Sequence, residues 1–175
     1  MLNTGLNSFM STSDHIRHIR FWLGVFIAGL VLSGLTAFPL ELELRWLVSI
    51  LHARAIQPLV AASHLLPWID RVGSAVAATN AAYPFLAYGT DWLAFAHLVI
   101  AIAFLGPYVD PVRNKWIITF GLIACVGVVP LALIAGYARR IPLGWRLIDC
   151  SFGIFGAMPL VMCRRAIRAL EFDSR

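Results

Sequence analysis

Four stretches of this chain are apolar over nearly the full length that a helix needs to cross a bilayer, about 20 residues. They are residues 21–40, 92–108, 116–135 and 145–163. Two are uncharged, one is interrupted only by His97, and the last carries Arg146 and Asp149 near its start. Because lipid offers no partners for the backbone, runs of this length indicate transmembrane helices.

The positions of the six tryptophans support this interpretation. Each lies at or beside the end of an apolar run, and indole rings collect at headgroup depth. They are Trp22, Trp46, Trp68, Trp92, Trp116 and Trp145. Only 13% of the residues are charged, against about 25% in a typical soluble domain. The predicted partner is therefore the lipid bilayer; nucleic acid is not indicated, because the arginines are scattered among apolar stretches.

The segment between the first two runs, residues 41–91, is too long and too patterned for a simple loop. Apolar residues at helical spacing predict an amphipathic helix at the interface from Glu41 to about Ala55. Glu41 and Arg45 are four residues apart, so they can pair on its surface. Residues 70–82 predict a second short helix.

Two parts of that segment are less regular. Residues 83–92 are rich in aromatics and turn-forming residues, and predict a turn. Residues 56–69 either lie at the interface or dip into the membrane as a re-entrant piece. The predicted fold is all-α: a single integral membrane domain over 1–175, a polytopic four-transmembrane-helix bundle with a helical interfacial cap at about 41–91 on the non-cytoplasmic side.

Charge predicts the orientation and the compartment. With both termini in the cytoplasm, eight Lys and Arg residues flank the cytoplasmic side and six lie on the other. The positive-inside rule then favours an N-in, C-in arrangement, and we expect a bacterial inner (plasma) membrane. Arg139 and Arg140, in a short loop on the other side, argue against this orientation.

Small residues at four-residue spacing predict close packing between helices. The pairs are Gly24 with Ala28, Gly29 with Ser33, Gly121 with Cys125, and Gly153 with Ala157. Pro130 and Pro159 lie inside the third and fourth runs and predict kinks there.

Polar side chains at membrane depth are costly to insert, so those beside the apolar runs are candidates for function. Successive spans alternate in direction, which places the candidate groups in the same leaflet. They are Glu41, Glu43, Asp91, His97, Arg146 and Asp149. A four-helix bundle would bring them within reach of one another beneath the interfacial segment.

His97, Asp91 and Asp149 are the candidate catalytic residues, because an inward Asp–His pair can act as a general base. Asp91 and His97 are six residues apart, so they do not share a helix face, and each needs a partner from another span. The structural alternatives are a first-turn or capping acid for Asp91 and an imidazole bonded to a neighbouring helix for His97. For Asp149 the alternative is a local salt bridge with Arg146.

The candidate ligand-binding residues combine charges with aromatic rings, as a site for an amphipathic molecule requires. They are Glu41, Glu43, Arg146, Tyr83, Tyr88 and Trp92. His97 and His64 are candidate haem or metal ligands, provided that residues 56–69 dip inward. The sequence does not identify a cofactor, and haem is the candidate that these two histidines suggest.

Three classes of function follow. The first is a non-enzymatic protein, either an accessory subunit in a larger membrane complex or homo-oligomer, or a protein that binds an apolar ligand such as a lipid or quinone. The lack of any recognisable catalytic motif in the sequence favours it. The second is a membrane-embedded enzyme that acts on a lipid or isoprenoid through an Asp/His acid–base site. The third is a haem-binding subunit that uses His97.

Overall fold

A computed structural model describes residues 12–53 and 65–173 of the chain. Helices make up 89% of it, and this part of the chain contains no strand. The helices are α1 (Thr12–Ala37), α2 (Leu40–Leu51), α3 (Leu66–Ala82), α4 (Tyr88–Ala103), α5 (Leu105–Val109), α6 (Lys115–Ala138) and α7 (Leu143–Asp173), with a 3₁₀ turn at Pro84–Ala87 before α4. The predicted all-α class is confirmed.

Four helical stretches are long and apolar enough to cross a membrane, as the hydropathy pattern predicts. They are Thr12–Ala37, Pro84–Val109, Lys115–Ala138 and Leu143–Phe172. Each is longer than its predicted run, but the first ends earlier than predicted, at Ala37 rather than residue 40, because Leu40 already belongs to α2. The clearest extension is that of α7, which continues past residue 163 through the basic residues Arg164 and Arg168. The chain is therefore a four-helix membrane protein.

The spans pack as a row that is most tightly closed at one end. α1 contacts both α4 and α7, and α6 packs against α7. The main buried cluster comprises Ile19, Leu23, Phe104, Ile118, Leu160, Cys163, Ala166, Ile167 and Leu170. All of these residues lie in the halves of the spans that are far from α2 and α3. Within this region the ring centroids of Phe104 and Phe26 are 4.7 Å apart. Close packing of this kind stabilises helices in lipid, where apolar burial gains little.

Glycines allow this packing at some of the predicted positions and not at others. A methyl group at Gly121 would lie 2.7 Å from atoms of Phe104 and Leu160, and one at Gly153 would lie 2.5 Å from the Cys125 carbonyl oxygen. A methyl group at Gly24 or Gly29 of α1 would meet nothing within 4 Å. The expectation of packing at those two positions is wrong, because that face of α1 points away from the other helices.

The prolines of the third and fourth spans lie inside continuous helices. Pro130 is within α6 and Pro159 is within α7, and both helices persist on either side of the ring.

α2 and α3 form an antiparallel helical hairpin, which we call the cap. Its helices bury Leu44 and Ile69. At one end His52 Nε2 lies 3.0 Å from Asp70 Oδ1, and at the other Asn80 donates to Glu41. Hydrogen bonds at both ends hold the two helices in register.

The cap confirms part of the prediction for residues 41–91 and corrects the rest. Both predicted helices are present, although the first ends at Leu51 rather than near Ala55 and the second begins earlier, at Leu66. The predicted turn at 83–92 is wrong beyond Ala87, because α4 already begins at Tyr88. Ala55 and residues 56–64 lie outside the described residues, and so does most of the predicted re-entrant piece.

Candidate ligand-binding cleft

A cleft of about 440 Å³ opens where the start of α2, the end of α3 and the beginning of α4 meet. We call it the cap cleft. Its polar lining consists of Glu41, Arg45, Thr79, Asn80 and Thr90. Its apolar lining includes Phe38, Leu42, Val76 and Leu86. Span α1 ends at Ala37, one residue before Phe38, so the cleft lies at the end of a candidate membrane span.

The polar side of the cap cleft is organised around one carboxylate. Glu41 Oε2 accepts a hydrogen bond of 2.9 Å from Asn80 Nδ2, and Glu41 Oε1 lies 3.8 Å from Arg45 Nη2. The predicted pairing of Glu41 with Arg45 is confirmed. Glu41 also lies in the first turn of α2, where the helix dipole favours a negative charge. Asn80 and Arg45 thus place two hydrogen-bond donors beside one acceptor, Glu41, at the polar side of the cap cleft.

This ion pair contributes little to folding. The Glu41 side chain is 34% exposed and that of Arg45 is 68% exposed, and pairs of this kind contribute about 0.2–1 kcal/mol. Both side chains therefore remain accessible to solvent. Breaking their ion pair to bind a ligand instead would cost little free energy. A cleft with partly satisfied polar groups beside an apolar wall suits an amphipathic ligand.

Asn80 was not among the candidates from the sequence, although a signal for it exists. Asp70, Gly73 and Asn80 recur at spacings of three and seven, which places them on one face of α3. Each meets α2 or the residue that follows it, since Asp70 contacts His52, Gly73 faces Val48 and Asn80 contacts Glu41. Asp70 and Asn80 are polar residues at the two ends of this face, so each needs a hydrogen-bond partner on the helix that packs against it.

The other predicted ligand-binding residues lie outside the cap cleft. Tyr88 and Trp92 are exposed, with ring centroids 5.9 Å apart, and Tyr83 is exposed beside Phe85. Together they form an outward aromatic strip at the start of α4, which matches an interfacial aromatic belt. Glu43 is half-buried on α2 and does not line the cleft.

The three candidate catalytic residues are not brought together. Asp91 lies in the first turn of α4, as the structural alternative predicts. His97 Nδ1 donates to the Leu93 carbonyl oxygen at 2.8 Å, so its partner is on its own helix rather than on a neighbour. Asp149 lies on α7, which packs against α1 and α6. Within residues 12–53 and 65–173, no hydrogen bond or ion pair joins His97 to either carboxylate.

Arg146 also departs from its expected contact. The predicted salt bridge to Asp149 does not form within the described residues. Arg146 Nη1 instead donates to the Leu133 carbonyl oxygen at 3.4 Å. Its methylene groups fill the space beside Gly136, where a side chain would collide with them. The arginine is therefore held across α6 rather than along its own helix.

No cluster of three His, Cys, Asp or Glu side chains that could hold a metal ion occurs in the part of the chain that the structure describes. In that part of the chain the hydrogen-bond partner of His97 is the Leu93 carbonyl oxygen. His64, the other predicted ligand, lies outside the described residues.

No protein-family model matches this chain, and neither does any curated protein or solved structure.

Proposed function

We propose that this protein binds an amphipathic membrane molecule, a lipid or a quinone, in the cap cleft without transforming it. The observation that carries the proposal is the cleft itself. It joins a polar edge formed by Glu41, Arg45 and Asn80 to an apolar wall at the level where a span ends.

The chemistry of the lining sets what the ligand must offer. Asn80 and Arg45 can donate to a carbonyl or ester oxygen, and Glu41 can accept from a hydroxyl group. Phe38, at the end of span α1, and Leu86 provide apolar contact for a ring or chain that continues into the hydrocarbon. Acid–base catalysis is not part of the proposal, because His97, Asp91 and Asp149 do not line the cap cleft.

Two exposed alanines on α3 provide a matched test. Ala75 lines the cap cleft, whereas Ala78, also exposed, does not. Ala75→Trp would fill the cleft, and Ala78→Trp adds the same bulk elsewhere on the helix. We expect native mass spectrometry of protein purified in mild detergent to show a small molecule retained by the wild type and by Ala78→Trp, and lost from Ala75→Trp. Equal retention by both variants would overturn the proposal.

The polar edge can be tested separately with two hydrogen bonds of the cap. Asn80→Leu removes the donor to Glu41 inside the cleft, while Asp70→Asn weakens the contact with His52 outside it. Both change the same helical hairpin. We expect Asn80→Leu to lower ligand retention at least about tenfold, equivalent to one charge-assisted hydrogen bond, and Asp70→Asn to leave it unchanged.

A second proposal concerns partners, because no described residue of the chain covers one side of α4. α4 has its main helix–helix contact with α1, and Trp92, Phe95 and Ile102 are exposed on it. This face can bind a subunit of a larger membrane complex or a second copy. Cysteine cross-linking from position 102 in native membranes should trap such a neighbour, and cross-linking to lipid alone would contradict it.

We also propose that both termini lie in the cytoplasm of a bacterium whose inner membrane holds the protein. The support is the excess of Lys and Arg at the ends away from the cap. A phosphatase reporter fused after Glu171 should then be inactive. The same reporter inserted between Arg139 and Arg140 should be active, and the reverse pattern would invert the topology.

A further inference from the structure

A second pocket, of about 460 Å³, lies at the connection between α6 and α7. We call it the arginine pocket. It is lined chiefly by Tyr137, Arg140, Ile141, Pro142, Leu143 and Arg146. It shares no lining residue with the cap cleft, so the two are separate sites.

Arg140 has a backbone conformation that disfavours its own side chain. Its φ is 57°, in the left-handed region where glycine is normally found. The hydrogen bonds Arg140 N to Tyr137 O, at 3.0 Å, and Ile141 N to Gly136 O, at 2.9 Å, form the Schellman motif that usually ends with glycine. With arginine at this position the folded chain is less stable than it would be with glycine. We therefore infer that the guanidinium group itself is needed there.

Arg146, the second arginine of the pocket, has a nitrogen without a partner. Its Nε is buried and makes no hydrogen bond within the described residues, and its Nη1 bond to Leu133 O is long, at 3.4 Å. Neither Arg140 nor Arg146 has an ion pair in that part of the chain. Buried guanidinium groups are normally paired, because an unmet charged donor is costly. This cost applies to Arg146 alone, because Arg140 is exposed; both guanidinium groups line one open pocket whose described lining contains no carboxylate.

We propose that the arginine pocket binds the phosphate of an anionic phospholipid. Guanidinium groups bind phosphate oxygens through paired, charge-assisted hydrogen bonds, and both arginines line the pocket in which a phosphate would lie. A lipid rather than a free anion is the occupant, because the pocket opens at the first turn of span α7. Tyr137 is 77% exposed there and Leu143 is 56% exposed, which gives the acyl chains an apolar surface beside the headgroup.

Arg140→Gly gives an unusually clean test, because it removes the charge and relieves the backbone at the same time. Arg139→Gly is the control, since Arg139 is adjacent and exposed, as Arg140 is, but does not line the pocket. Each full-length protein would be titrated in nanodiscs with phosphatidylglycerol in a phosphatidylcholine background, with bound lipid counted by native mass spectrometry. We expect Arg140→Gly to weaken phosphatidylglycerol binding at least about tenfold and its unfolding temperature to be unchanged or higher. Arg139→Gly should bind as the wild type does.

Three outcomes would overturn the proposal. Equal weakening by Arg139→Gly and Arg140→Gly would mean that a diffuse positive charge attracts the lipid. Displacement of phosphatidylglycerol by millimolar inorganic phosphate would assign the pocket to a free anion. A fall in the unfolding temperature of Arg140→Gly, with binding retained, would mean that the arginine stabilises the fold rather than binding lipid.

If Arg140→Gly fails to fold, Arg140→Gln provides the same binding comparison. Ala75→Trp in the cap cleft should leave phosphatidylglycerol binding to the arginine pocket unchanged. Either proposal can therefore be contradicted without affecting the other.

Discussion

Glycine pairs with the same spacing meet different surroundings on α1 and at the interface of α6 with α7. On α1, the space beside Gly24 and Gly29 is open for at least 4 Å. At Gly153 of α7, a methyl group would lie 2.5 Å from the carbonyl oxygen of Cys125 on α6. The spacing places two small residues on one face, but it does not determine whether another helix lies against that face.

The contrast also exists within α1 itself. Gly34 is five residues beyond Gly29, and a methyl group there would lie 3.0 Å from the Ala94 carbonyl oxygen of α4. One helix thus has a glycine that allows close approach and others that face outward. In lipid, where helices are held together by packing, only the first kind should matter for stability.

The largest effect is expected from Gly153→Leu. Its side chain would collide with backbone atoms of Cys125, which cannot rotate away, so α6 and α7 must separate. Overpacking costs about 1–3 kcal/mol and sometimes more, and we expect a loss of about 3 kcal/mol or more. Unfolding by SDS titration in mixed micelles would measure it. Wild-type stability would mean that the two helices are not in contact here.

Phe104→Ala should have the next largest effect, because it empties the tightly packed end of the row. Phe104 is fully buried and packs against Phe26 and the space beside Gly121. In water-soluble cores this change costs about 3–5 kcal/mol. We expect about 2 kcal/mol here, since the alanine variant loses contacts but gains no unfavourable exposure to water. The same SDS titration measures it, and Phe95→Ala, on the exposed face of α4, is the control.

Hydropathy predicted the number of spans because an uncharged run of about 20 residues has few alternatives in lipid. It did not predict where the helices end. α7 continues through Arg164 and Arg168, and backbone hydrogen bonds there remain favourable in water. It also did not predict that α4 begins at Tyr88, because glycine and threonine in the first turn of a helix resemble turn chemistry.

The candidate site was predicted in part, for a related reason. Glu41 was identified from its cost near the membrane, and its i, i+4 partner Arg45 follows from local spacing. Asn80 was missed because it is 39 residues away from Glu41 along the chain, so only the pairing of α2 with α3 brings it there. Arg140 was seen as a charge, but its left-handed backbone is invisible in the sequence.

A smaller effect is expected from Gly34→Ala. The methyl group would lie 3.0 Å from the Ala94 carbonyl oxygen and 3.1 Å from the Leu98 side chain, so α4 must move by a few tenths of an ångström. We expect a loss of about 1 kcal/mol in the SDS titration. A loss as large as that of Gly153→Leu would mean that α4 is fixed as rigidly as α6.

The smallest effect is expected from Gly29→Leu, although it adds as many atoms as Gly153→Leu does. The face is open, so the leucine meets lipid rather than a helix. The usual gain in helix propensity is also small, because a span stays helical in the membrane whether or not the bundle is assembled. We expect a change within about 0.5 kcal/mol. If Gly29→Leu proves as costly as Gly153→Leu, the outward face of α1 must bind a second copy or another membrane protein, which cross-linking from position 29 would identify.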